Sequence, residues 1–103
     1  MKGRLPRPKE AEEIVMKLEK NIIVREIAGE YILIPTGEAA LKMTGIFAVT
    51  EVGAEIWKRL SQGKDEDTVI AELLAEYEVD EATLRQDYAE FIGRLVDSGL
   101  AEL

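Results

Sequence analysis

The sequence predicts an α+β fold: a small three-stranded antiparallel sheet followed by three helices, similar to a winged helix-turn-helix, with an extra N-terminal helix. Runs rich in Ile, Val and Tyr between turn residues fill the first half, and apolar residues at helical spacing fill the second. The connections between the strands are too short for parallel crossovers. A chain of 103 residues needs one core, so we expect a terminal segment, 1–20, and one main domain, 21–103.

The terminal segment has two parts. Residues 1–8 contain two prolines among Arg and Lys residues, which is typical of a flexible arm. Residues 9–20 predict a short amphipathic helix, because Ala11, Ile14, Val15 and Leu18 fall on one helical face. Packing of this face on the edge of the domain is favoured, and docking onto a partner is the alternative.

The stretch "NIIVREIAGEYILIP" predicts two strands. Ala28-Gly29 separates them, and a glycine supplies the positive φ that a tight hairpin needs. Pro35 and Gly37 end the second strand. A third strand is best placed at 46–49, after a turn, so the first and third strands are both edges of a meander.

Three helices follow, and each begins after a residue that caps helices well. Thr50, Asp65 and Asp80 are the predicted N-caps, and Gly63 ends the first helix. Gly99 fits the left-handed position after the third helix. The residue that follows it, Leu100, is expected to touch Leu95, as in a Schellman ending, and the final "LAEL" adds a little extended structure.

The only tryptophan, Trp57, lies on the apolar stripe of the first of these helices. Gly53 and Leu60 share this stripe one turn away on either side. An aromatic residue on such a stripe belongs to the core more often than to a ligand site. Gly53 supports this interpretation, because a residue without a side chain lets another backbone approach closely.

Composition excludes several functions. The chain has neither cysteine nor histidine, which removes disulfides, thiolate chemistry, the usual zinc sites and imidazole acid–base catalysis. The many acids occupy caps, first turns and outward helix faces, where they favour the helix dipole and solubility. We therefore assign no catalytic residue, metal or cofactor and expect that the protein is not an enzyme.

Charge and hydropathy argue against two further classes of partner, nucleic acids and membranes. The net charge of −8 repels a nucleic-acid backbone, whose binding depends on Lys and Arg. No run approaches the ~20 apolar residues of a membrane span, and no apolar run follows the basic N-terminus as in a secretory signal. We expect a cytoplasmic protein that contacts neither nucleic acid nor membrane.

The third strand, "GIFAV", is an edge without charge or proline, so it lacks the usual protection against pairing with another strand. One interpretation is that a helix or the tail covers it. The other is β-augmentation, in which an extended peptide pairs with the edge. An unprotected edge or the amphipathic first helix also permits a homodimer.

Residues 21–103 resemble the PqqD-like proteins, also called RiPP precursor peptide recognition elements and named for pyrroloquinoline quinone biosynthesis. The stretch "VTEVGAEIWKRLSQG" resembles the family pattern Leu-Asn-x-x-Gly-x-x-Ile-Trp, which ends with a small polar segment and glycine. Gly53, Ile56, Trp57 and Gly63 match, whereas Val49-Thr50 replaces Leu-Asn. The passage "YEVDEATLRQDYAEFIGRL" looks like the family's entry into its last helix.

The resemblance implies a non-catalytic adaptor. Such domains bind the leader of a ribosomally made precursor peptide and present it to a modifying enzyme, often a radical-SAM enzyme. The leader would add as a strand beside the third strand, in a groove whose other wall is the third helix. By position, the candidate peptide-binding residues are Gly45, Ile46, Phe47, Ala48 and Val49 of the strand and Arg85, Tyr88, Ala89 and Ile92 of the helix.

The interaction implied by the resemblance is specific. Apolar leader residues would fill the gap between the strand and the helix, and Arg85 would meet a leader carboxylate.

The alternative is a winged-helix DNA-binding transcriptional regulator that uses the third helix for recognition. The net charge argues against it, as does the helix itself, where Arg85 and Arg94 are the only basic residues between Asp80 and Gly99.

Overall fold

The computed structural model describes residues 17–43 and 45–102. It confirms the α+β fold with a small three-stranded antiparallel sheet. The elements in chain order are β1 (Lys17–Leu18), β2 (Ile22–Ile27), β3 (Glu30–Pro35), α1 (Gly37–Lys42), β4 (Phe47–Val49), α2 (Glu51–Ser61), α3 (Glu66–Glu76), α4 (Glu81–Asp97) and β5 (Ala101–Glu102).

The main sheet has the order β2-β3-β4, and both pairs are antiparallel. A two-residue turn joins β2 to β3, as predicted. Both turn residues have positive φ, 52° at Ala28 and 84° at Gly29, which is the conformation of the hairpin turn that matches strand twist. The sequence predicted a positive φ at Gly29 but not at Ala28.

The connection from β3 to β4 differs from the prediction, because it contains the helix α1. This helix is only six residues long, and it begins at Gly37, two residues after the end of β3 at Pro35. Ala39 is its buried residue. One and a half turns of helix are too short to show apolar periodicity, so the sequence did not reveal it.

The N-terminal helix predicted over 9–20 does not include the last four of these residues, 17–20, which the structure describes. Lys17–Leu18 forms strand β1, which pairs antiparallel with β5, and the N–H of Glu19 donates to the Leu100 carbonyl at 2.8 Å. The C-terminal residues provide an unpaired strand, and this long-range pairing overrides local helical spacing. Residues 9–16, the remainder of the predicted helix, lie outside the described residues. The predicted extended C-terminus is confirmed.

The predicted helix ends are confirmed. The N–H of Gly53 donates to the Thr50 hydroxyl at 3.0 Å, and the carboxylates of Asp65 and Asp80 accept from the equivalent N–H groups at 2.9 and 3.3 Å. At the end of α4, the N–H of Leu100 donates to the Leu95 carbonyl at 2.9 Å, which is the Schellman bond.

The core lies between the inner face of the main sheet and α2, α3 and α4. Trp57 is 3% exposed, so its assignment to the core is confirmed. Gly53 faces the ring of Phe91, whose nearest carbon would lie 3.1 Å from an added Cβ, so a side chain, and not another backbone, makes the close approach. The buried cluster comprises Leu33, Ile56, Trp57, Val69, Ile70, Leu73, Leu84, Tyr88, Phe91, Leu95, Leu100 and Ala101.

One guanidinium ties α2 to α3. The Arg59 side chain is 11% exposed and contacts the carboxylates of Glu55, Glu72 and Glu76 at 2.6, 2.8 and 2.9 Å. The hydrogen bond from Arg59 lowers the pKa of Glu55. Hydrogen bonds from Lys64 and then Arg59 lower the pKa of Glu72. These carboxylates therefore bind protons less tightly in the folded chain than in the unfolded chain.

Stability should consequently fall in acid. The contribution of a carboxylate with a lowered pKa is present above its unfolded value of about 4.3 and is lost as pH falls through the folded value. We expect Arg59→Ala to lower the free energy of unfolding by about 1–2 kcal/mol at pH 7 and to weaken its pH dependence below pH 5. Urea unfolding of both proteins at several pH values measures this, and parallel pH profiles would contradict it.

Candidate functional site

The outer edge of β4 is the first part of the candidate site. Among the described strands, β4 pairs only with β3, through Phe47 opposite Leu33 and Ala48 opposite Ile32. Phe47 and Val49 are half-buried on the core side of the sheet, whereas Ala48 is exposed on the other side. Strand β4 therefore contributes apolar side chains to the core and leaves one backbone edge open within the described chain.

The backbone of Ala48 is directed to that open edge. Its carbonyl accepts a hydrogen bond of 3.2 Å from Nη2 of Arg94 on α4. In an antiparallel ladder, the N–H and C=O of one residue point to the same side, and successive residues alternate. The N–H of Ala48 therefore faces the edge together with its carbonyl, while the backbone groups of Phe47 and Val49 face β3.

A shallow groove runs between β4 and α4. A narrower cavity of about 20 Å³ lies in this groove, and a wider one of about 200 Å³ lies next to it, between α4 and the start of α2. Phe91 and Arg94 line both cavities. The wider one is also lined by Thr50, Val52, Gly53, Ile56, Asp87 and Glu90. The narrower one is also lined by Leu33, Phe47, Val49, Leu95, Ser98 and Leu100.

The groove has an apolar floor and a charged rim. Phe91, 7% exposed, and Leu95 form the part of the floor that α4 provides. Asp87, Glu90 and Arg94 are exposed on the helix above it, and among the residues that the structure describes, Arg94 is the only basic one that lines either cavity. The site thus offers an open backbone edge, an apolar slot and one cation.

The structure places the predicted helix residues on other sides of α4. Arg85 donates to Glu81, Glu66 and Asp67 at 2.8, 3.0 and 3.2 Å. Tyr88 is a core residue, and burial raises the pKa of its hydroxyl.

The remaining two helix residues also lie away from the groove. Ala89 is exposed, and Ile92 packs against the core. Neither of them, nor Arg85 or Tyr88, lines the two cavities. These four residues therefore lie outside the lining of the two cavities, and their contact with a peptide stays a prediction.

Helix geometry explains this difference. Asp87, Phe91 and Arg94 are spaced i, i+4, i+7 and form one stripe, whereas Arg85, Tyr88 and Ile92 form a second stripe more than a quarter turn away. Phe91 of the first stripe and Tyr88 and Ile92 of the second all belong to one broad apolar face of α4, so spacing alone did not indicate which part of it lies beside β4. The residues that sequence reasoning missed at the groove are Asp87, Glu90, Phe91, Arg94, Leu95 and Ser98.

The predicted strand residues are adjacent, as expected. Gly45 has a φ of 82° and Ile46 is 59% exposed, and both precede β4. Whether these residues contact a peptide stays a prediction, as it does for Phe47, Ala48 and Val49.

Within residues 17–43 and 45–102, no three His, Cys, Asp or Glu side chains are arranged to hold a metal ion. No helix in the same ranges is long and apolar enough to cross a membrane.

Comparison with known proteins adds three findings. A family model described as coenzyme PQQ synthesis protein D (PqqD) matches residues 12–101. The solved structure "TbiB1 in Complex with the TbiA(beta) Leader Peptide" is similar at 27% identity with a TM-score of 0.64, covering 84% of this chain and 94% of that one. "Lasso peptide synthetase B1 complexed with the leader peptide" is similar at 23% identity with a TM-score of 0.65, covering 85% and 98%. No curated protein sequence matches the chain.

Proposed function

The chain belongs to the PqqD family, and from that premise we propose that it is an adaptor for a ribosomally synthesised precursor peptide. It captures the leader segment of the precursor by β-strand addition and presents it to a modifying enzyme, such as a radical-SAM protein. The similar TbiB1 structure contains a leader peptide bound to a chain of this fold, which supports the proposal.

The observation that carries the proposal is the open edge at Ala48. An extended peptide that adds antiparallel or parallel to β4 finds the N–H and C=O of Ala48 available for main-chain pairing, once the Arg94 guanidinium leaves the carbonyl. Its alternate side chains reach the slot between β4 and α4, where Phe91 and Leu95 provide an apolar surface. Main-chain bonds then supply affinity, and the slot supplies selectivity.

Catalysis belongs to the partner in this proposal. The rim carboxylates Asp87 and Glu90 are exposed to solvent, whereas a catalytic pair of carboxyl groups is held in a pocket. A cytoplasmic location is part of the proposal, because a ribosomally made precursor is available there before export. The adaptor therefore works by holding one peptide where a second protein can act on it.

DNA recognition is not favoured as an alternative. It would need free cations on α4 to contact phosphates. Arg85 is held by three carboxylates, and the Arg94 guanidinium bonds to Ala48. The remaining charged residues of α4 are acids: Glu81, Asp87, Glu90 and Asp97.

Amide hydrogen exchange tests the proposal directly. We expect a bound leader peptide to slow exchange at Ala48 by about tenfold or more, because the Ala48 N–H at the open edge gains a ladder partner. The amides of Phe47 and Val49, which already face β3, should change less. A scrambled peptide of the same composition is the control. Saturable binding that leaves exchange at Ala48 unchanged would contradict strand addition at this edge.

A further inference from the structure

Arg94 occupies the position that an incoming strand requires. Its Nη2 donates to the Ala48 carbonyl, and that carbonyl is the acceptor that faces the open edge of β4. A peptide N–H that pairs there competes with the guanidinium for the same oxygen. The hydrogen bond crosses from α4 to β4, so it also bridges the groove where the two cavities meet.

Most N–H groups of the Arg94 guanidinium donate no hydrogen bond within the described chain. It carries five N–H groups, and within the described chain the Ala48 carbonyl is its one hydrogen-bond partner. Asp87 and Glu90 line the same cavity but form no ion pair with Arg94. Arg94 is therefore held against the strand by a single neutral acceptor while two nearby carboxylates stay out of contact.

A peptide strand at this edge would lie about 4.8 Å from the β4 backbone, so its side chains would reach the guanidinium. A carboxylate there replaces the neutral acceptor by a charge-assisted hydrogen bond, which is the stronger of the two kinds. An uncharged side chain leaves the displaced guanidinium without an equivalent partner, and a basic one is repelled.

We propose that Arg94 is a specificity-determining residue that closes the β4 edge in the free chain and, on strand addition, moves from the Ala48 carbonyl to a carboxylate side chain of the peptide. This inference rests on the proposed function and adds the class of peptide to it: an extended apolar segment with Asp or Glu beside the residue that pairs with Ala48. Arg94 thus opposes peptides that lack this acid and favours those that have it.

Because Arg94 favours peptides with the acid and opposes those without it, replacing Arg94 should change the affinities of these two classes of peptide in different directions. In Arg94→Gln, the cation is lost and the Ala48 carbonyl is easier to reach. Peptides with the acid should bind this variant about three- to tenfold more weakly, because a charge-assisted bond is lost. The same peptides with Asp or Glu changed to Asn or Gln should bind it as tightly as, or more tightly than, they bind the wild type.

Selection from a displayed library of random 16-residue peptides provides the probe. The wild type should enrich peptides in which apolar residues lie at a fixed distance from an Asp or Glu. Peptides selected by Arg94→Gln should keep the apolar pattern without the preference for Asp or Glu. Those selected by Arg94→Glu should show a preference for Lys or Arg in its place. Lys58→Gln is the charge-matched control, because Lys58 is exposed on α2 and forms an ion pair with Glu55 away from the groove; it should select as the wild type does.

The outcomes separate the two proposals. If the wild type enriches no common pattern, the proposed peptide-binding function fails together with this inference. If all variants enrich the same apolar pattern with the same charge preference, strand addition stands and the role of Arg94 is wrong. Circular dichroism and a urea unfolding curve for each variant show that the comparison is made between folded proteins.

Discussion

Replacing Trp57 by alanine is expected to lower the free energy of unfolding by about 3–5 kcal/mol. The indole is almost fully buried among residues from the sheet and from all three long helices. Its removal leaves a cavity that the surrounding side chains fill only in part. For a domain of this size, such a loss is a large fraction of the total stability.

Urea unfolding followed by circular dichroism measures this prediction, because the variant has no tryptophan for fluorescence. Lys58→Ala is the matched control: it truncates the neighbouring residue on the exposed side of α2 and should change stability by less than about 0.5 kcal/mol. A Trp57→Ala variant with native stability and impaired peptide binding would show that Trp57 is a ligand contact and not a core residue.

Much of this fold could be predicted because it depends on local chemistry. Thr50, Asp65 and Asp80 cap helices through bonds within four residues of themselves, and the Ala28-Gly29 turn determines its hairpin locally. These local features left two interpretations of the third strand open, a covered edge and a peptide-binding edge. The family pattern around Trp57 favoured the peptide-binding edge.

The features that escaped prediction depend on distant parts of the chain. Strand β1 exists because residues that follow α4 pair with it, about 80 positions away in sequence. The stripe of Phe91 and Arg94 lies beside β4, whereas the sequence placed the peptide-binding wall on the stripe of Arg85, whose contact with a peptide stays a prediction. The apolar face of α4 is broad and includes Phe91 as well as Tyr88 and Ile92, and only the packed helix shows which part of it meets the sheet.

Replacing Ala48 by proline is the second substitution for which we expect a large effect. Proline has no N–H, and the N–H of Ala48 faces the open edge and not β3, so the variant should keep the β3–β4 ladder. A peptide strand would lose one main-chain hydrogen bond and meet the proline ring at its point of contact. We expect leader affinity to fall by at least about tenfold.

The controls separate the backbone effect from other causes. Ala48→Ser changes the side chain at the same position and keeps the N–H, so it should bind the leader like the wild type. Thermal unfolding of all three proteins should agree within a few degrees, because Ala48 is exposed and its N–H takes no part in the ladder with β3.

Calorimetric titration of the leader into the wild type, Ala48→Pro and Ala48→Ser tests strand addition at the β4 edge most directly. We expect similar dissociation constants for the wild type and Ala48→Ser, with binding by the folded Ala48→Pro variant at least about tenfold weaker or absent. Equal affinity in all three folded proteins would contradict it, because a peptide that pairs with this edge cannot be indifferent to the loss of the Ala48 N–H.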